Sequence, residues 1–466
     1  SAKRVSQYPA DWVARHGLSP GVAGNALHSD RHGLSMAQLV WAAVGRPSKG
    51  PQFLLLNANG LTQLRRAIQY AIDEKVDVIQ YSENWEYGGN FDGRGFINAA
   101  VSQATRAGIL WVNAAGNYGG QVYDGSLALP GPDQTVRFTN RFDENRIRIT
   151  VAWNDFSEVE SYQAQQDLDV EVWNDIGAVV ATGNRVQVPV AGLTRGEPTL
   201  HAREIFSATL DRGDFRIHLN KIAGRFTDAS RVRIWVTTER PETSVTVIDA
   251  TSRREIMIPA DHPEVLTIGD GSPQSAQGPT VDGRVKPDFV LMNSEIRFTS
   301  GLITSGTSNA AALFAGVVLA LKAHDPALNR EKILAMRQTG ADCLFPVERS
   351  RVAEGVWARL ESETGRPRVQ LPVGIARDGR LSVIVPAAPW DFPAFASARG
   401  SFATAGKPSR AFHFLMDEMG QAQWFARARY AGSTLPSNWV EWIEQGVGYA
   451  VCDSAMPGIW ITPPPR

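Results

Sequence analysis

Ser308 stands where a serine can become a nucleophile. The turn Ser305-Gly306-Thr307 leads straight into an apolar run that continues to Leu321. Glycine permits the sharp backbone angles of such a turn. A serine in the first helical turn has its oxygen beside unpaired backbone N–H groups and the positive end of the helix dipole. That setting suits a nucleophile whose reaction creates an oxyanion, and equally a Ser/Thr cap on a core helix. His32 also heads a helical pattern, with Met36, Leu39, Val40 and Ala43 at helical spacing. It is a candidate proton acceptor, or a structural histidine at a loop–helix junction. Ser82 and Asn117 close two apolar runs, and active residues gather beyond strand ends in parallel α/β sheets.

The segments that must hold these residues alternate. Residues 1–30 show little periodicity, and Pro9, Gly17, Pro20, Gly21 and Gly24 mark loops. Residues 53–57 read as a buried strand, and Leu61, Leu64, Ile68, Ala71 and Ile72 as one helix face. Residues 76–82 predict a strand, Phe96 to Ala104 a helix stopped at Gly108, and 109–117 a strand ending in small residues. This alternation predicts a parallel sheet with right-handed crossovers. After about residue 125 the period becomes two, over 146–153, 168–173, 213–219 and 232–236, with turn residues between. An antiparallel β-sandwich is expected there. Strand–helix character returns with 265–269, 285–290, a helix over 308–322 and another at Ile333–Met336. The expected fold class is α/β: a parallel-sheet domain in two parts, 1–124 and 253–345, interrupted by a β-sandwich over 125–252. It is followed by a C-terminal β-rich domain over 346–466 that includes 380–385.

Composition narrows the function classes. The 466 residues are 43% apolar and 20% charged, which argues for buried cores and against disorder. A net charge of -1 gives no electrostatic case for nucleic acid or an anionic membrane. No run of 18 apolar residues is present to span a bilayer. Cys343 and Cys452 do not have metal-type spacing, and whether they pair is open. The chain starts at Ser1, so a processed precursor is expected, with its cleaved-off N-terminal segment as a candidate partner. A secreted or periplasmic location is expected.

Taken in order, the three stretches resemble one family. Gly306-Thr307-Ser308-Asn309-Ala310-Ala311 resembles the nucleophile motif of subtilisin-like serine proteases, His32-Gly33-Leu34-Ser35-Met36-Ala37 their His-Gly-Thr motif, and Asn113-Ala114-Ala115-Gly116-Asn117 their oxyanion segment. The stretches 258–269 and 278–288 resemble flanking segments of the same family. The resemblance covers roughly residues 30–120 and 256–342. It implies a serine endopeptidase acting on polypeptides, with Ser308 as nucleophile, His32 as base and Asn117 as oxyanion donor. Ser82, Glu83 and Asn84 would bind the substrate backbone, with Ala115 and Gly116 nearby. No cofactor is required. Residues 166–172 resemble jelly-roll modules appended to secreted proteases, and Asp167, Asp169 and Asp175 are candidate calcium ligands, although solvated turn carboxylates fit the non-EF-hand spacing better.

Some residues depart from the family pattern. The family's triad needs an Asp on a strand upstream of the His, and residues 1–31 contain no apolar run ending in Asp-Ser/Thr-Gly. Asp11 follows no apolar strand, and Asp30 is too close to His32 to orient its ring from the far side. Leu34 and Ala312 replace the family's Thr and Pro. The strand with the Asp is expected on a removed N-terminal segment. The competing expectation is a pseudoprotease that keeps the fold as a protein- or peptide-binding scaffold. A carbohydrate-binding sandwich is a third, with only β composition behind it.

Overall fold

The computed structural model describes residues 2–5, 12, 15, 32–44, 51–128, 135–240, 244–251, 253–270, 272–291, 296–297 and 303–338, and the backbone of strands between 373 and 462. Asp11, Asp30 and Cys343 fall outside the described residues.

The first half of the chain alternates strand and helix. In order come β1 (Ala2–Val5), α1 (His32–Val44), β2 (Phe53–Leu56), α2 (Leu61–Asp73), β3 (Val78–Tyr81), α3 (Phe96–Arg106) and β4 (Leu110–Ala114). All five residues of β4 are buried, as a continuous run covered on both faces must be. Its one polar side chain, Asn113, is satisfied: Trp111 Nε1 donates to Asn113 Oδ1 at 3.0 Å, and Asn113 Nδ2 donates to Ala114 O at 2.8 Å. Helix α2 buries Leu64, Ala67, Ile68 and Ala71, and α3 buries Phe96, Ile97, Ala100, Val101 and Ala104. Both stripes repeat at three- and four-residue spacing, the signature of one apolar face.

Between β4 and β14 (Leu266–Asp270) the chain forms two antiparallel sheets. Their strands are β5 (Val122–Ser126), β6 (Thr135–Asn140), β7 (Asn145–Trp153), β8 (Asp167–Asn174), β9 (Val179–Gly183), β10 (Arg203–Leu210), β11 (Gly213–Ala223), β12 (Arg231–Thr238) and β13 (Val245–Val247). One sheet has the order β10-β7-β12-β5 and the other β13-β6-β11-β8-β9. Along β7, Ile147, Ile149 and Val151 are buried while Arg146 and Arg148 are exposed, as period-two burial requires. Central strand β12 even buries Arg233, which donates to Asp124 Oδ2 at 2.9 Å and Ile256 O at 2.5 Å. A single apolar core runs from α2 and α3 into both sheets.

The parallel sheet resumes with β14 and β15 (Phe289–Leu291), followed by the short pair β16 (Ile296–Arg297) and β17 (Ile303–Thr304). Helices α4 (Thr307–His324) and α5 (Arg330–Gln338) come next. Two later strands, β18 (Val373–Ile375) and β19 (Arg380–Val383), complete a six-stranded sheet of order β18-β19-β15-β14-β4-β3. All its pairings are parallel except β18 with β19. The strand expected at 380–385 thus joins the central sheet. Beyond it are a three-stranded sheet of Ala398–Thr404, Lys407–Met416 and Ala422–Tyr430, and a pair of Tyr449–Cys452 with Ile459–Thr462.

The N-terminal region differs from the loop reading. Ala2–Val5 is a strand, paired in parallel with Phe53–Leu56. Trp12 is buried edge-on against Tyr70, and its Nε1 donates to Asp73 Oδ2 at 2.6 Å.

Candidate active site

Helix α4 carries Ser308 into the middle of the fold. Residues 307–318 are all buried, as expected of a helix apolar on every side. The helix packs on α1 and on strands β3, β4 and β14. Its N-cap, Gly306, has φ +103° and no side chain to cap the helix. That left-handed angle favours glycine. Space demands it too, because a Cβ here would lie 2.9 Å from both Asn117 Nδ2 and Asn117 Oδ1.

Asn117 reaches this helix end from the carboxyl side of β4. Its Oδ1 accepts from the Thr307 backbone N–H and from Thr307 Oγ1, each at 3.0 Å. Thr307 Oγ1 in turn accepts the Gly116 N–H at 3.1 Å. The carboxamide is therefore held by its oxygen, and Asn117 Nδ2 has no partner among the described residues. The Ser308 backbone N–H is likewise without one. Two donors at a helix N-terminus are thus available to an anion.

His32 is the first residue of α1, which packs against α4. It lines a cleft of about 320 Å³ together with Ser308, Thr307, Asn117 and Gly116. Ser82, Glu83 and Asn84, beyond the carboxyl end of β3, form another wall. Strands β3 and β4 are parallel neighbours, with Tyr81 opposite Asn113, so both C-terminal extensions emerge on one edge. Asn113 Nδ2 also donates to Glu83 O at 3.3 Å and ties the two strand ends together. Ala115 does not line the cleft; it is fully buried and its N–H donates to Ile268 O at 2.9 Å.

Several cleft residues carry no local signal of that position in the sequence. Tyr118 and Gln121 line it, as do Val236, Thr237, Thr238 and Val245 from β12 and β13. The Tyr118 ring lies against Gly116, where a Cβ would come within 2.7 Å of the ring carbons. Burial pushes the Tyr118 phenol up, and the nearby Glu86 and Glu83 carboxylates push it further. Thr307 belongs to the quoted Gly-Thr-Ser motif, yet its bridging role needs Asn117, 190 positions away.

Other charged groups have structural partners. Asp167 accepts from Arg195 Nη1 at 3.1 Å and Nη2 at 2.5 Å, and Asp169 from Arg195 Nη1 at 2.6 Å, while Asp175 is exposed. In the segment after Ile258, buried Asp261 accepts from the Gly93 N–H at 2.8 Å and from Asn98 Nδ2 at 3.1 Å. Burial nevertheless raises its carboxyl to about 6. Burial also lowers neighbouring His262 to about 3, with Lys286, Arg284, Arg330 and Arg106 acting in the same direction. Neither Asp261 nor His262 lines the cleft.

The molecule is thus an α/β protein with a serine, a histidine and an asparagine around one cleft at the carboxyl edge of a parallel sheet. The Subtilase family model, peptidase S8, matches residues 5–355, and the chain belongs to that family. Membership supports a serine-protease type of mechanism in general. Among solved structures, the chain is similar to the Clostridium perfringens CspB protease at 17% identity, with a TM-score of 0.42, over 62% of this chain and 68% of that one. It is similar to MycP1 with the N-terminal propeptide removed at 15% identity and a TM-score of 0.26, over 65% and 70% of the two chains. A pre-peptidase C-terminal domain of collagenase from Bacillus anthracis aligns at 13% identity with a TM-score of 0.17, over 27% of this chain and 90% of that one. Comparison with curated proteins finds no match.

Proposed function

We propose that the protein is a serine endopeptidase that cleaves polypeptides through an acyl-enzyme on Ser308. The observation that carries this reading is the meeting of Ser308, His32 and Asn117 in one cleft from three distant segments. The Ser308 hydroxyl attacks the scissile carbonyl as His32 takes its proton. The carbonyl oxygen becomes an oxyanion, met by Asn117 Nδ2 and the Ser308 N–H. His32 then gives the proton to the leaving amine, and water hydrolyses the ester by the same route in reverse. The substrate backbone lies along Ser82–Asn84 as an added strand. The reaction as proposed uses no cofactor. The two antiparallel sheets are read as an inserted jelly-roll-like domain, and the location as secreted or periplasmic.

A fluorophosphonate probe tests the nucleophile. It is expected to label Ser308, and Ser308→Ala is expected to abolish labelling. Labelling that survives the substitution contradicts the assignment. A second reading, a pseudoprotease scaffold that binds peptides, is favoured by one observation: β1, the strand ahead of His32, has the sequence Ala-Lys-Arg-Val and carries no acid. It predicts peptide binding without labelling.

A further inference from the structure

The cleft is electrostatically one-sided. Among the described residues that line it, Glu83 is the one carboxylate, and no Lys or Arg is present. Glu83 is exposed, and its carboxylate has no hydrogen bond or ion pair among the described residues. Its backbone is nevertheless anchored, since Glu83 O accepts from Asn113 Nδ2. Glu86, three residues on, is already satisfied: its Oε2 accepts from Arg148 Nη2 at 2.8 Å and Thr150 Oγ1 at 2.9 Å. That pairing occupies the nearby cation and leaves Glu83 unquenched. Both carboxylates lie near enough to raise the Tyr118 phenol, with Arg148 acting against them.

The neutral surfaces have matching chemistry. Tyr118, Thr237 and Thr238 line the same cleft and carry no charge. A long-stemmed cation suits this lining: the carboxylate receives its charge while the stem runs along the uncharged wall.

We infer that the cleft selects polypeptides with a lysine or arginine beside Glu83, whose carboxylate is the specificity determinant. This rests on the cleft being the polypeptide site proposed above, and it names the substrate class. The test uses the full chain with Ser308→Ala, so that binding is read without cleavage. Pools of octapeptides carry arginine or its neutral counterpart norleucine at one position at a time, and affinity is followed by fluorescence anisotropy. Arginine at one position is expected to bind about three- to tenfold tighter, as a partly solvated ion pair allows, and the advantage is expected to shrink with added salt. Adding Glu83→Gln is expected to abolish the advantage of arginine pools over norleucine pools. Equal binding of arginine and norleucine pools overturns the inference, as does no binding of either, or a preference that survives Glu83→Gln. If the preference holds but neither labelling nor cleavage occurs in the protein with Ser308 intact, the endopeptidase reading fails and the inference stands.

Discussion

Replacing Asn117 with aspartate and with alanine separates the two things its carboxamide does. Its oxygen accepts two hydrogen bonds from Thr307, each at 3.0 Å. Its nitrogen is left to donate into the cleft. Asn117→Asp keeps an acceptor for both Thr307 donors, so stability is expected to stay within about 1 kcal/mol of wild type. It replaces the free donor with a negative oxygen. Loss of one such donor costs about 10²–10³ in rate, or about 2.7–4 kcal/mol, a figure that comes from subtilisin itself. Repulsion of the oxyanion puts the aspartate variant at the upper end. Asn117→Ala loses the donor as well, and it strands the fully buried Thr307 N–H and hydroxyl. It is therefore expected to lose about 1–3 kcal/mol of stability besides the rate. Urea unfolding and kcat/KM on a chromogenic peptide read the two losses separately. A rate for Asn117→Asp within about threefold of wild type would refute the oxyanion role, because donation is the one function that variant removes.

Two further predictions concern buried charge. Asp261 is raised to about 6 from its ordinary 3.8, so the folded state holds its proton more tightly than the unfolded chain. Its contribution to stability is complete below about pH 4 and is lost as pH rises through about 6. In the difference between Asp261→Asn and wild type, the opposing slope from His262 cancels. That difference in unfolding free energy should favour the variant increasingly between pH 4 and pH 6, by up to about 3 kcal/mol; a flat difference contradicts it. Arg195→Met leaves Asp167, whose side chain is 0% exposed, without its cation. A loss of about 3–5 kcal/mol is expected, partly recovered by adding Asp167→Asn, as followed by denaturant unfolding. Equal stability of the single and double variants would contradict this account.

How far the site is legible in sequence depends on how local its causes are. Ser308 and His32 were readable because each heads a helix whose apolar pattern is written in the adjoining residues, and Asn117 because it follows the buried run of β4. Glu83 shares the strand end that made Ser82 visible. The bridging of Gly116, Thr307 and Asn117 was not legible, since it exists only once α4 meets the end of β4. The same holds for the wall of Val236, Thr237, Thr238 and Val245, which looks like ordinary strand sequence until β12 is placed beside the cleft. Ala2–Val5 lacks an apolar run because Lys3 and Arg4 lie within it, so its strand character comes from pairing with β2 rather than from its own pattern. Arg380–Val383 has a clear strand pattern, but pattern alone does not say which sheet it joins.

The acyl-enzyme itself is the most direct test of the central claim. The full chain is mixed with an activated peptide ester, quenched in acid within seconds, and its intact mass and peptide map are measured. The account predicts an acyl adduct on Ser308 that disappears in Ser308→Ala and forms far more slowly in His32→Ala. Hydrolysis of the ester with an adduct on another residue, or with undiminished adduct formation in His32→Ala, would contradict it.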